Sequence, residues 1–336
     1  MKLQSIGDLA QTFKLRQQNV QLKQQMARLT EELASGRAAD LTRQLSGNFG
    51  HLSDIEHDLV VLQSYRYAAN DAGTATTVMQ AALETVQSRT ADLGETAVIA
   101  NTTTGGVTLD TIAFEGRGVL ETIVSAMNTE IGGRSLFSGT DIEATPLASA
   151  ETLLAEVRIA AAGATTASDV ITVLDNFFDT PGGGFETLIY QGGTTFLSPF
   201  QLGEGESVRL DLRADDPAIR NALKNTVMAA LVDDTAIALN DAERIQLAQQ
   251  SGERLITSQD EVIGIRSKLG FAQQRIEQAS TRIASEVSSL QFARNGLVSV
   301  DKFQTATELE SVQIQLETLY TLTARASRFS LVNFLS

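Results

Sequence analysis

Apolar residues recur at alternating spacings of three and four along the last third of the chain. The repeat consists of Leu255, Ser258, Val262, Ile265, Leu269, Ala272, Ile276, Ala279, Ile283, Glu286, Leu290, Ala293, Leu297 and Val300. This heptad seam predicts one helix from about Asp241 to Val300. At about 1.5 Å per residue that helix is roughly 90 Å long, so it belongs in a rod or bundle rather than in a globular core.

A second apolar seam follows Asp301. Its members are Leu309, Val312, Leu316, Leu319, Thr323 and Ala326, and Leu331 and Phe334 close it. Gly296 and the stretch Ser299–Asp301 lie between the two seams and mark the joint between two helices. The pattern therefore predicts a separate final helix.

The N-terminal arm carries two apolar stripes on one predicted helix. One stripe consists of Ile6, Leu9, Phe13 and Val20, and the other of Leu15, Leu22, Met26, Leu29 and Leu33. The helix is expected to end near Ser35-Gly36, because glycine commonly takes the left-handed conformation that follows a last helical turn. A linker to Gly50 follows.

Weaker periodicity predicts two more helices in the first half of the chain. One runs from about Leu52 to Val98, and the other from about Leu109 to Ile131. The segment Asn101–Gly106 is rich in threonine and glycine and predicts the turn between them. Gly132-Gly133 is expected to end the second of these helices.

The middle of the chain has a different pattern. Residues 151–178 are predicted to be helical. Alternating apolar positions in Phe200–Leu202 and Ser207–Leu212, separated by Gly203-Glu-Gly205, predict a β-hairpin. Asp215-Asp-Pro217 then predicts a capped helix start with proline in its first turn.

Proline and charge divide the chain in the same way. The four prolines are Pro146, Pro181, Pro199 and Pro217, so residues 1–145 and 218–336 contain none. Proline interrupts helix interiors, and residues 141–240 also hold fifteen acidic side chains against five basic ones. The sequence therefore predicts two helical arms around an acidic insert of mixed structure.

Composition excludes several functional classes. The chain has no cysteine, which excludes disulfides, cysteine-based zinc sites and cysteine nucleophiles. Its net charge of −15 opposes general affinity for nucleic acid or anionic membranes. No apolar run approaches the ~20 residues that span a bilayer. Met1–Gln25 lacks an apolar core, so no cleavable secretory signal is expected there.

No segment offers convincing catalytic or cofactor chemistry. His51 and His57 do not have the i,i+4 spacing of a helical metal pair and are expected to be surface side chains. Gly116-Arg-Gly118 lacks the third glycine of a dinucleotide-binding turn, and helix packing explains it better. Asp215-Asp216 is better explained as a helix cap than as a metal site. We therefore expect no catalytic, cofactor-binding or metal-binding residues, and no enzyme.

Three segments are specific enough to suggest a family. Leu309–Leu335 ends in Ser-Leu-Val-Asn-Phe-Leu, Gly132–Asp141 contains Phe-Ser-Gly-Thr, and Leu29–Arg37 ends in Ser-Gly-Arg. Together they resemble, in order, the C-terminal helix, the segment before the variable domain, and the end of the first helix of the flagellin superfamily. Tyr190-Gln-Gly with the predicted hairpin and Asp215–Ile219 gives a weaker fourth match.

The resemblance implies a mainly α fold with a long antiparallel helical rod, a terminal coiled coil and a small α+β insert. Residues 1–50 with 301–336 would form the coiled-coil assembly domain, 51–140 with 241–300 the rod, and 141–240 the outward insert. The terminal seams would be shared with neighbouring subunits, so folding and polymerisation would be coupled. The expected self-assembly residues are Ile6, Leu9, Phe13, Val20, Leu309, Val312, Leu316, Leu319, Leu331 and Phe334.

The resemblance also implies a function. The ending of the chain is closest to the members of the superfamily that join hook to filament, so we expect a structural subunit polymerising at that junction. Expected partners are copies of itself, a hook-associated protein on the hook side, flagellin on the filament side, and the flagellar type III export apparatus with an export chaperone. The protein would then lie outside the cell, exported without a cleaved signal. Alternatives are a flagellin of the filament itself and a soluble coiled-coil signalling or scaffold protein.

Overall fold

The computed structural model describes residues 3–99 and 108–335, and the side chains of 10–99 and 108–325. The turn expected at Asn101–Gly106 lies outside the described residues. Helices make up most of the described chain: α1 Leu3–Ser35, α2 Leu41–Gln44, α3 Gly50–Ile99, α4 Leu109–Met127, α5 Ala150–Ala161, α6 Ala167–Asp179, α7 Pro217–Ala230, α8 Asp241–Val298 and α9 Lys302–Leu335.

Four short strands form two antiparallel hairpins among the described residues. Strand β1, Glu130–Ile131, pairs with β2, Arg134–Ser135. Strand β3, Phe200–Gly203, pairs with β4, Glu206–Val208, with an irregularity between Gln201 and Gly203. The expectation of a mainly α fold with a small mixed insert is confirmed.

The chain divides into two compact units. One comprises the chain up to Leu62 together with the chain from Ser285 onward, and the other runs from Gln63 to Ala284. Residues of α3 and of α8 belong to both units. The division into coiled coil, rod and insert stays a prediction.

The long C-terminal seam is buried in the larger unit. Its members from Leu255 to Ile283 are all buried, and Gln259 and Arg266 add polar contacts to α3. The Gln259 amide donates to Thr90 Oγ1 at 2.9 Å, and Arg266 O accepts from the amide of Gln80 at 2.8 Å. The heptad pattern therefore predicted the buried face of α8 correctly from Leu255 to Ile283, whereas Glu286 is exposed and the later members are half-buried.

Helix α4 ends at Met127, so the expected extension to Ile131 is wrong. The Asn128 side chain forms a two-way pair with the backbone of Leu147, with both bonds at 2.9 Å. Gly132 and Gly133, with φ of 59° and 76°, do not end a helix but form the turn between β1 and β2. An amide pair between residues far apart in sequence leaves no local pattern, so periodicity could not locate this helix end.

The predicted hairpin is present, but its second strand is shorter than expected. Pairing stops at Val208, whereas alternation extends to Leu212. Leu210 and Leu212 are nevertheless buried. The alternation of apolar residues thus indicates that one side of this segment is buried. It does not require that the segment pairs with a second strand.

Helix α7 starts as the sequence predicts. Asp216 caps it by accepting from the Ala218 N–H at 2.9 Å, and Pro217 occupies the first turn. Burial raises the pKa of Asp216. The preceding acid, Asp215, instead forms a two-pronged ion pair with Arg213, with Nη2 2.7 Å from Oδ2.

The same arginine joins two loops of the insert. The Arg213 guanidinium also donates to Thr194 O and lies 4.6 Å from the ring centre of Phe196. Burial, followed by the charge of Asp215, raises the pKa of Tyr190 to about 12, so its hydroxyl stays protonated and donates to Gly193 O at 2.8 Å. These contacts hold the 190–196 loop in place.

Close helix packing in the larger unit depends on Gly116. A Cβ at this position would lie 2.7 Å from the backbone nitrogen of Ala230 on α7, whereas a Cβ on Gly118 would meet nothing within 4 Å. Sequence reasoning assigned both glycines to helix packing, and the structure supports this for Gly116 alone.

We predict opposite effects for alanine at the two positions. Gly116→Ala should force α4 away from α7 and destabilise the protein by about 1–3 kcal/mol. Gly118→Ala should stabilise it by up to about 1 kcal/mol, because alanine is the better helix former. Urea unfolding followed by circular dichroism measures both. Equal effects of the two substitutions would contradict the packing assignment.

Candidate self-assembly surface

One face of α1 is covered by α9. Leu29 is buried against Val312 and Leu316, and Leu22, Met26 and Leu309 extend this cluster. Leu29 is 1% exposed to solvent, Val312 is 3% exposed and Leu316 is 5% exposed. The second N-terminal stripe predicted from the sequence is therefore the one that pairs the two terminal helices within the chain.

The described part of the other stripe, Phe13 and Val20, faces away from α9. Phe13 is 71% exposed and Val20 is 54% exposed. Phe13 precedes Leu22 by nine residues and Val20 precedes Leu29 by nine, and nine residues make two and a half turns of a helix with about 3.6 residues per turn. The exposed and covered stripes thus lie on opposite sides of α1.

Helix α9 has the same two-sided design. Phe303 is 84% exposed and Ile314 is 57% exposed. Phe303 precedes the buried Val312 by nine residues, and Ile314 follows the buried Thr305 by nine. We define the outer apolar surface as two faces that point in opposite directions, Phe13 and Val20 on α1 and Phe303 and Ile314 on α9. Two further residues of α9, Tyr320 and Leu322, are also about half exposed.

The structure separates the expected self-assembly residues into three groups. Val312, Leu316 and Leu319 are buried and Leu309 is half-buried, all within this one chain. Phe13 and Val20 are exposed. The side chains of Ile6, Leu9, Leu331 and Phe334 lie outside the described residues.

Sequence reasoning missed Phe303 and Ile314. They lie off the heptad seam of α9, and an isolated apolar residue on a predicted polar face is common in any helix. The available signal was their eleven-residue separation, which places both on one side of a helix. That separation becomes informative only when the buried side of α9 is known.

The junction where α1 ends holds the two terminal helices together. Gly36 has φ of 69°, and its N–H donates to Glu32 O at 2.8 Å. The Ala38 N–H donates to Val298 O at 2.8 Å, and the Val300 N–H donates to Gly36 O at 3.1 Å. This short antiparallel pairing ties the exit of α1 to the joint between α8 and α9.

Two carboxylates complete this junction. Asp301 caps α9 by accepting from the backbone N–H of Phe303 at 2.8 Å and of Gln304 at 3.2 Å. Glu32, 5% exposed, pairs with Arg28 at 3.0 Å and accepts from the Ala39 N–H at 3.2 Å. Glu32 therefore joins the last turn of α1 to the loop that follows it.

The two histidines of the chain lie on the surface of α3. His51 and His57 are exposed on the first turns of α3, as expected. Among the described residues, no group of three or more histidines, cysteines or carboxylates is placed to hold a metal ion. No helix in the described ranges is long and apolar enough to cross a bilayer.

We predict that Glu32→Ala weakens the terminal unit. It leaves the Ala39 N–H and the partly buried Arg28 without their acceptor, at a cost of about 1–3 kcal/mol. Hydrogen exchange of the α1 amides should accelerate by roughly 5- to 150-fold where exchange needs this unit to open. Glu31→Ala, at the exposed neighbouring position, is the matched control. Equal exchange in both variants would contradict the role of Glu32.

One protein-family model matches part of the chain. Residues 253–335 match the bacterial flagellin C-terminal helical region. The matched stretch holds most of α8 and α9, including the buried seam and its joint. A search of curated proteins finds no significant match.

One solved structure gives a likeness at the level of fold. The crystal structure of Bacillus cereus FlgL aligns with a TM-score of 0.51 and 16% identity, over 72% of this chain and 100% of the FlgL chain. A protein described as a flagellar hook-associated protein from Vibrio parahaemolyticus aligns with a TM-score of 0.48 and 10% identity, over 73% and 95% of the two chains. The chain thus carries a flagellin-type C-terminal helical region on a fold shared with FlgL.

Proposed function

We propose that this protein is a structural subunit of the bacterial flagellum that polymerises at the hook–filament junction and connects the hook to the flagellin filament. The flagellin-type region at 253–335 and the fold shared with FlgL support this proposal. The work of such a subunit is mechanical, since it needs surfaces that bind neighbours and no reacting groups.

The outer apolar surface is the observation that carries the proposal. Within the described chain α9 covers one face of α1 and leaves the opposite face, with Phe13 and Val20, in solvent. Burying a phenylalanine or valine side chain gains about 1.5–3 kcal/mol. Repeated in every subunit of a polymer, that gain drives assembly.

The inner seam and the outer surface have different roles in this proposal. Leu29, Val312 and Leu316 pair the terminal helices of one subunit, and the outer residues then contact adjacent subunits. Ile6, Leu9, Leu331 and Phe334 would extend the contact surface toward both ends. The seam residues expected to be shared with neighbours thus act indirectly, by orienting α1 and α9.

The proposed partners follow from the position at the junction. They are further copies of this chain, a hook-associated protein on the hook side and flagellin on the filament side. The flagellar type III export apparatus and an export chaperone would deliver the subunit, without a cleaved signal, to the outside of the cell. The absence of cysteine removes any disulfide that would hinder passage of an unfolded chain.

A second candidate is a flagellin that builds the filament itself. The match over residues 253–335 is to the C-terminal region of flagellin, and this observation favours that role equally. Deletion of the coding sequence separates the two. Intact hooks with flagellin secreted into the medium indicate the junction role, and bare hooks without secreted major flagellin indicate the filament role.

The surface itself is tested by complementing that deletion. The double variant Phe13→Ser with Val20→Ser should leave bare hooks and secreted flagellin, because the outer face of α1 loses its apolar contacts. Gln11→Ser with Gln18→Ser is the matched control, with two exposed residues at the same spacing on the same helix. Electron microscopy of the cells and immunoblots of the medium give the result.

Circular dichroism of the purified double variant should show unchanged helix content, since neither side chain is buried in the free subunit. Normal filaments in the double variant would contradict the assembly role of this surface. Normal flagella in the deletion strain would instead favour a soluble coiled-coil signalling or scaffold protein.

A further inference from the structure

The two faces of the outer apolar surface carry opposite charge. Residues 10–30 of α1 contain four basic side chains and no acidic one, whereas residues 303–324 of α9 contain three acidic side chains and no basic one. Within one chain α1 and α9 cover each other's inner sides, so both outer faces stay exposed. The apolar residues indicate that these faces bind something, and the charges indicate which surfaces fit together.

On α1 the charged side chains lie beside the apolar ones. Arg16 follows Phe13 by three residues and Lys23 follows Val20 by three, so each cation is next to an apolar side chain on the helix surface. Both cations are exposed, and neither forms an ion pair within the described part of the chain. The outer face of α1 is therefore apolar and basic.

On α9 two carboxylates lie on either side of Ile314. Glu310 precedes Ile314 by four residues and Glu317 follows it by three, which places all three side chains on one side of the helix. Both carboxylates are exposed, and neither has an ion-pair partner among the residues that the structure describes. The outer face of α9 is therefore apolar and acidic.

The charges have the same spacing on both faces. Arg16 and Lys23 are seven residues apart, and so are Glu310 and Glu317, which corresponds to about 10.5 Å along each helix. When the α1 face of one copy meets the α9 face of a second copy, both cations can therefore reach a carboxylate at the same time.

The direction of such a contact follows from the single chain. The end of α1 pairs with the joint that precedes α9, so the two helices run antiparallel within one chain. In a polymer whose copies all have the same orientation, α1 of one copy is then antiparallel to α9 of the next. Arg16 lies opposite Glu317 in this arrangement, and Lys23 lies opposite Glu310.

The charges also disfavour contacts between identical faces. Two α1 faces would bring cations together and two α9 faces would bring carboxylates together, and like charges across an interface oppose association. The two faces of one copy point in opposite directions, so each copy has a neighbour on either side. A contact between different patches repeats into a ring or a filament, whereas a contact between identical patches ends at a dimer.

We propose that the α1 face of one copy binds the α9 face of the next copy, with Val20 and Ile314 lying between the ion pairs Arg16–Glu317 and Lys23–Glu310. This inference rests on the proposed function, in which copies of the chain polymerise, and it adds which surfaces meet and in which direction. The apolar side chains supply the attraction, and the charges select the partner face.

Disulfide trapping tests the contact, because the native chain has no cysteine. The full chain with both Val20→Cys and Ile314→Cys should form a ladder of dimers, trimers and larger species on mild oxidation at low salt, read on non-reducing gels. In a mixture of the two single variants, heterodimers should exceed either homodimer about ten-fold, because like faces repel. No cross-linking, or homodimers as abundant as heterodimers, would overturn the proposal.

Charge reversal tests the ion pairs. Arg16→Glu with Lys23→Glu, added to the chain with both cysteines, should slow cross-linking about ten-fold, because both outer faces are then acidic. Adding Glu310→Lys with Glu317→Lys to that chain exchanges the two charges and should restore the rate. Circular dichroism checks that each variant is folded. A folded fourfold variant that cross-links no faster than the first double variant would contradict the pairing.

A matched control reverses two charges elsewhere in the same unit. Asp54→Lys with Asp58→Lys, at exposed positions of α3, should leave cross-linking unchanged, and equal slowing in this variant would contradict the assignment. Because purified protein is used, the outcome is separate from that of the deletion strain. A ladder from a chain whose deletion leaves flagella normal refutes the proposed function alone, and no ladder from a chain whose deletion gives bare hooks refutes this inference alone.

Discussion

The packing of Leu29 against Val312 and Leu316 is the constraint that organises the terminal helices. It fixes the rotation of α1 about its own axis, and the nine-residue offset then turns Phe13 and Val20 to the opposite side. The same contact orients α9 and turns Phe303 and Ile314 outward. The outer apolar surface is therefore a geometric consequence of an internal seam.

The junction next to this seam keeps the two helices in register. Backbone bonds join the chain at 36–38 to the chain at 298–300, and Asp301 starts α9 directly after the joint. Glu32 adds a buried carboxylate that links helix and loop. These contacts all lie within one compact unit of the single chain.

The sequence predicted most of the fold through periodicity and helix-ending residues. The buried face of α8, the end of α1 at Ser35 and the proline-capped start of α7 all follow from local patterns. The end of α4 at Met127 did not, because Asn128 pairs with Leu147, which is distant in sequence. Local pattern also could not stop β4 at Val208, since burial continues beyond the pairing.

For the candidate surface, periodicity identified apolar stripes but not what covers each one. Val312, Leu316 and Leu319 were expected to contact neighbouring subunits and are buried inside this chain. Phe303 and Ile314 form part of the exposed face although no heptad includes them. An apolar stripe on one helix predicts that its residues are buried. Only the fold shows whether they are buried by the same chain or by another.

The chain has no cysteine, so accessibility can be measured at single positions. Maleimide labelling of the separate variants Phe13→Cys, Val20→Cys and Leu29→Cys, before and after polymerisation, tests the central claim directly. The account predicts fast labelling at positions 13 and 20 and slow labelling at 29 in the free subunit, with all three slow in the polymer. Equally fast labelling at positions 13 and 20 in polymer and free subunit would contradict it.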